Sequence, residues 1–243
     1  MANALHLKIL AEEGVPAWNA WRLEHADLAP DLQDANLSGG NLSGADFRGA
    51  NLQGAILQHA NLRGSVFNDA LLINAVLNGA NLEGAALKGA NLSGAFLNGA
   101  TLKSTDLCLA KLSGAKLEEA DLDRAAMLQA DLSSGSLARA RMARVNLTSA
   151  RLCGADLRGA VLNEAQLKWV DLTRANLKGA SLKRAGLEES CLVNACLENA
   201  DLQEALLQEA DLENASFVGA ELQDADFSHA KFAGTKLPES ARE

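Results

Sequence analysis

Residues 35–54 read ANLSG GNLSG ADFRG ANLQG, four five-residue units in one register. Each unit sets a small residue first, Asn or Asp second, Leu or Phe third, and ends here on Gly. Working outward in both directions, the register never slips. From Leu32 to Leu237 every fifth residue is Leu, Phe or Met: 35 Leu, five Phe (Phe47, Phe67, Phe217, Phe227, Phe232) and two Met (Met127, Met142). Two residues before each stands Ala, in 33 of the 42 cases. The exceptions are Pro30, Gly40, Ser65, Thr105, Gly135, Val145, Val170, Ser190 and Thr235. The unit is therefore A-(N/D)-L-x-x.

A period of five fits neither simple template, since a helix repeats its apolar face every 3.6 residues and a strand every two. On a helix, one Leu per five residues would advance by about 140° at each step and leave no coherent face to bury. The chain must instead turn a corner in every unit. One large and one small side chain point inward, and three residues face solvent. The frequent Gly at the fifth place, as in Gly39, Gly44, Gly49 and Gly54, suits a turn that needs φ > 0.

This pattern resembles the pentapeptide-repeat family, and the resemblance covers about 85% of the chain by the extent of the register. It implies an all-β fold: a right-handed quadrilateral β-helix, a solenoid in which four units make one 20-residue coil. Forty-two units would give about ten coils, a rod on the order of 50 Å long at the usual inter-strand spacing.

The rest of the composition bounds what such a rod can do. Net charge is −9 with a pI near 5.0, which speaks against direct nucleic-acid binding and against an anionic membrane surface. Aromatics are 4% and Tyr is absent, so a core has to be assembled from many small, similar units. Cys108, Cys153, Cys191 and Cys196 form no CxxC pair and read as wall thiols in a reducing compartment. His6, His25, His59 and His229 are scattered, with no partner at catalytic spacing. No enzyme activity, metal or cofactor is expected. No apolar run approaches the ~20 residues needed to span a bilayer, the start does not resemble a signal peptide, and the expected location is the cytoplasm.

Three segments are expected: an N-terminal helical cap over 1–25, the repeat over 26–237, and a tail over 238–243. Ala4–Glu13 reads as a short helix ended by Gly14 and Pro16, with apolar Trp18 and Trp21 after it. Gly14–Arg22 (Gly-Val-x-x-Trp-Asn-x-Trp-Arg) is similar to a segment that precedes many bacterial repeat rods. At the other end Phe217, Phe227 and Phe232 are expected to thicken the last coils, and Pro238 and nearby charges to blunt the edge. The oligomeric expectation is a monomer or a weak end-to-end dimer.

Two surface features are candidates for function. Twenty residues apart, Ile56, Val76 and Phe96 would stack as an apolar stripe, with Asn36 before and Lys116 after; such a stripe suits an unknown protein partner. Cys108, Leu109, Leu128 and Trp169 form a weaker second patch. Charge is also segregated: residues 137–184 hold ten Lys/Arg against three acids, and residues 185–230 hold eleven acids and no Lys or Arg. The first functional reading is a non-catalytic rigid scaffold for protein–protein interaction. The alternative, implied by the family resemblance, is a DNA mimic that binds a type II topoisomerase. Its phosphate-like charge would come from Glu188, Glu198, Asp201, Glu204, Glu209, Asp211, Glu213, Glu221, Asp224 and Asp226. Family resemblance equally allows a spacer or developmental factor.

Overall fold

The computed structural model describes residues 2–239. Within the repeat, each unit extends for one residue and then turns. The Leu and Ala close the turn: Ala60 N–H donates to the Leu57 carbonyl at 3.1 Å. The residue just before Ala has positive φ in every turn from Asp34 to Gly234, between 53° and 71°. A four-residue turn with φ > 0 at its third place needs this, and Gly is the residue that adopts it freely.

The other backbone groups point along the rod. Leu57 N–H donates to Val76 O at 2.7 Å, His59 N–H to Asn78 O at 3.0 Å, and Asn61 N–H to Gly40 O at 2.9 Å. The pairing residues lie twenty apart throughout, from Asp31 with Asn51 to Ser216 with Lys236, all parallel. Four units thus make one turn of the column.

One N–H per unit is used neither by the turn nor by the neighbouring coil, and in many units the Asn or Asp preceding Leu accepts it. Asn51 Oδ1 takes Gln53 N–H at 3.2 Å, and Asp131 Oδ1 takes Ser133 N–H at 3.0 Å. This is the physical reason for the second residue of the motif. Where that place holds Phe96 or Lys116, an Asn one coil below supplies the acceptor. Asn78 takes the N–H of Asn98, and Asn98 takes that of Glu118, both at 3.0 Å.

The expected class, an all-β right-handed quadrilateral β-helix, is corrected by this geometry, and the β-helix and solenoid descriptions go with it. Among the described residues there is no strand of two or more residues and no sheet; pairing is confined to isolated single-residue bridges. The reason is local. A strand needs consecutive extended residues, and here a left-handed residue interrupts the chain once in every five. Among the described residues, the regular elements longer than a bridge are helical: α1 (Ala4–Lys8), a π-helical segment (Ile9–Glu13) and α2 (Gly14–Glu24).

The column is filled by the inward Leu and Ala side chains, nearly all without solvent contact. Each buried Leu contributes about 1.5–3 kcal/mol before chain entropy is set against it. Ser65, Thr105 and Ser190 replace Ala inside, and each hydroxyl donates to the carbonyl three residues earlier at 2.6–2.7 Å. No buried polar group is orphaned by these exchanges.

Gly14 ends the helical stretch over Ala4–Glu13 as expected, capping it at φ 85° with its N–H on the Ile9 carbonyl. Pro16 does not end a helix; it stands in the first turn of α2, where a missing N–H costs nothing. The motif residues of this segment meet the edge of the first coil group by group. Trp18, fully buried, donates its indole N–H to Asp46 O at 2.8 Å and lies against Phe47, with ring centroids 5.8 Å apart. Asn19 donates to Gly44 O and accepts from Asp46 N–H, each at 2.9 Å. Arg22 donates to Leu28 O at 2.7 Å and Arg48 O at 2.9 Å. His6 Nδ1 accepts Asp31 N–H at 3.0 Å. At the other end Phe217 is buried, Phe227 half-buried and Phe232 exposed, so the three do not thicken the core equally. Pro238 is buried, and residues 240–243 of the expected tail lie outside the described residues.

The inward Ala sites leave no room for growth. Ala120→Leu is expected to cost about 1–3 kcal/mol by overpacking, while Ala126→Leu, at an outward bridge position, stays within about 0.5 kcal/mol. Urea unfolding of the two variants checks this; equal midpoints would contradict the assignment of inward and outward places.

Candidate functional site

Since partners are twenty residues apart, the rod has four faces, each built from every fourth unit. Ile56, Val76 and Phe96 do stand on successive rungs of one face, with Lys116 on the next. Ile56 is 37% exposed, Phe96 42%, and Val76 half-buried between them. The turn glycine Gly99 leaves the corner beside Phe96 open, while the His59 ring lies over Gly79 beside Val76.

The structure adds residues that the sequence reading missed. Leu71, 42% exposed, and Ile73 lie on the face that immediately precedes this one around the coil, in the same turn as Val76. Together the two faces have an unusual property. Between residues 36 and 99 the chain carries six charged side chains, Asp46, Arg48, Arg63, Asp69, Glu83 and Lys88. All six belong to units of the other two faces. The patch that wraps the shared edge is thus uncharged and holds five large apolar side chains. Numbering the units by twenties exposes this in the sequence alone; tracing a single column does not.

The second candidate patch is as exposed but not free of charge. Leu109, Leu128 and Trp169 share one face, together with Leu206, and each is 40% exposed or more. Charged residues interleave them: Lys168 Nζ lies 4.4 Å above the Trp169 ring and 3.0 Å from Glu189. Cys108 is half-buried beside Leu109, and burial pushes its thiol up from the usual range.

The basic belt and the acidic end are not separate fields. They interlock rung to rung, with Arg184 to Glu204 at 2.8 Å, Lys178 to Glu198 at 3.0 Å and Lys183 to Asp201 at 2.9 Å, and within the belt Arg144 meets Glu164 at 3.0 Å. Lys231 meets Asp211 at 3.3 Å. Four of the ten candidate acids, Glu198, Asp201, Glu204 and Asp211, are therefore neutralised by a neighbour. Glu221 accepts from Gln203 at 2.6 Å, and Asp226 from Gln208 at 2.6 Å. Glu188, Glu209, Glu213 and Asp224 have no ion pair among the described residues. The described residues contain no group of three or more His, Cys, Asp or Glu placed to hold a metal ion, and no helix long and apolar enough to cross a membrane.

The paired guanidinium holds each carboxyl below its ordinary range: Arg158 for Asp156, Arg144 for Glu164 and Arg184 for Glu204. A depressed folded value means stability that is present above the unfolded value of about 4 and lost as pH falls through the folded one. The melting temperature is expected to hold from pH 7 to about 5 and to fall below about 4. Thermal melts across that range check it, with Glu164→Gln expected to show a smaller acid drop.

The comparisons with known proteins agree on the repeat. The profile of pentapeptide repeats matches in eight overlapping copies between residues 31 and 234. Among solved structures, the chain is similar to HetL, a pentapeptide repeat protein involved in heterocyst differentiation regulation from the cyanobacterium Nostoc sp. strain PCC 7120. Identity is 32%, over 92% of this chain and 98% of that one, with a TM-score of 0.61. It is also similar to QnrB1, a plasmid-mediated fluoroquinolone resistance protein, at 20% identity over 70% of this chain and 92% of that one, with a TM-score of 0.45. No curated protein sequence matches significantly.

Proposed function

From the premise that this chain belongs to the pentapeptide-repeat family, we propose that it is a non-catalytic protein-binding rod whose contact surface is the uncharged patch around Ile56, Val76 and Phe96. The observation that carries this reading is the exclusion of charge. In a chain that is 22% charged, two adjacent faces carry none between residues 36 and 99, and that is where five large apolar side chains are gathered. Interface centres are depleted in charge and enriched in such side chains. The stack also supplies rigidity, which lowers the ordering cost of association. The likeness to HetL, a protein involved in regulation, is compatible with a regulatory role.

DNA mimicry has less behind it. The acids that would stand for phosphates are in part engaged by Lys and Arg of the same rod, and no feature of the surface points to a topoisomerase in particular.

Immobilised full-length chain should retain a protein from an extract of its own host, and Phe96→Glu or Val76→Glu should abolish the capture. Glu213→Lys on the acidic end should leave it intact. All three places face outward, so circular dichroism and melting temperature should stay near wild type. Capture unchanged by both stripe variants would sink the reading. DNA gyrase supercoiling should be unaffected by the protein at micromolar concentration; inhibition relieved by Glu213→Lys would favour mimicry instead.

A further inference from the structure

Resting on that reading of the patch, we infer that its partner is an amphipathic α-helix lying along the rod axis, with an acidic residue that meets Lys116. Three observations lead there. First, this face offers a partner strand no continuous row of backbone, although the Gln58 and Asn78 N–H groups have no acceptor among the described residues. Leu57 and Leu77 N–H donate to Val76 and Phe96 O at 2.7 Å, and Val76 N–H donates to Ala55 O at 2.9 Å. The Asn98 N–H is taken by Asn78. Strand addition needs a row of free donors and acceptors, and two isolated donors, one on each of two rungs, are not such a row.

Second, the spacing of the rungs selects the partner. Adjacent rungs of paired backbone lie about 4.8 Å apart, so Ile56 to Phe96 spans about 9.6 Å. A helix brings side chains to one face once per turn of about 5.4 Å, and residues i, i+4 and i+7 span about 10.5 Å. An extended strand along the axis repeats its facing side chains every 6.6–6.8 Å or so, and three of them span about 13 Å. The helix misses the three rungs by about 1 Å and the strand by nearly 4 Å, by the same spacings.

Third, the fourth rung is a charge. Lys116 pairs with Phe96 along the ladder, is exposed, and has no carboxylate within ion-pair distance among the described residues. A helix in register would set its residue i+10 or i+11 there, and an acid at that place complements the ammonium. The corner at Gly99 is open and gives a helix, about 10 Å across with its side chains, room to sit beside Phe96, while the His59 ring covers the corner at Gly79.

The test is selection from a display library of random 16-residue peptides, panned on the full-length chain and counter-selected on its Phe96→Glu variant. Clones that survive should share apolar residues at i, i+3 or i+4, and i+7, with Asp or Glu at i+10 or i+11. Synthetic peptides of that consensus should gain helical circular dichroism on binding and bind at least tenfold more weakly to Phe96→Glu. On Lys116→Glu the preference should turn to Lys or Arg. Clones with alternating apolar residues would overturn the helix while leaving the patch as an interface. A patch that binds a second copy of the chain, seen as doubled mass in light scattering and lost in Phe96→Glu, would also overturn it. Absence of any Phe96-dependent clone would remove the interface reading itself.

Discussion

The hydrogen bond from one coil to the next is the interaction on which the rest depends. It runs parallel to the rod, and the rungs it joins are always twenty residues apart. For that bond to form everywhere, the chain must return to the same point after each circuit, and it does so by turning in every unit. The turn in its turn demands a left-handed residue, and 25 of those places are filled by residues other than Gly. Each such residue costs about 1 kcal/mol or more in backbone strain. The stack tolerates most of them because their N–H groups bond to the next coil, Leu109 to Leu128 O and Trp169 to Glu188 O among them.

Once the backbone is committed along the axis, side chains divide cleanly by role. The inward pair carries the stability. The Asn or Asp before Leu is neither a catalytic group nor a charge reservoir; it closes the one N–H that the geometry leaves open. Phe96 and Lys116 can occupy that place because Asn78 and Asn98 take over the duty from the coil below. At Ile56 and Val76 no such acceptor stands in, so the apolar stripe leaves the Gln58 and Asn78 N–H groups unpaired among the described residues.

Much of this is legible in the sequence, and the reason is the register. An unbroken period of five fixes which side chains are inside and which stand in one column, so Ile56, Val76 and Phe96 group together by counting alone. The strand content cannot be read in the same way, because apolar spacing reports where side chains point and not how many consecutive residues are extended. The helical start is legible as helix and Gly14 as its end, but Pro16 misleads: it opens a second helix, whose apolar residues Trp18 and Trp21 lie beyond it. Leu71 and Ile73 escape a column-by-column reading because adjacency around a corner links residues five apart, not twenty. The rung-to-rung pairing of Arg184 with Glu204 is hidden for the opposite reason: counting charges by segment separates residues that the coil sets side by side.

The twenty-residue circuit also governs how such a chain can change length. Loss or gain of one whole circuit leaves every later residue on its own face, merely displaced along the axis. Loss of a single five-residue unit keeps the interior sound, since Leu still replaces Leu, but it turns everything beyond the junction by a quarter. The ladder of Arg144, Glu164, Arg184 and Glu204 would then be carried to a different side of the rod relative to Ile56 and Phe96. The interior reads the chain in fives and the exterior reads it in twenties, so a lineage of such rods can drift by small steps inside while its outer pattern is inherited only in whole turns.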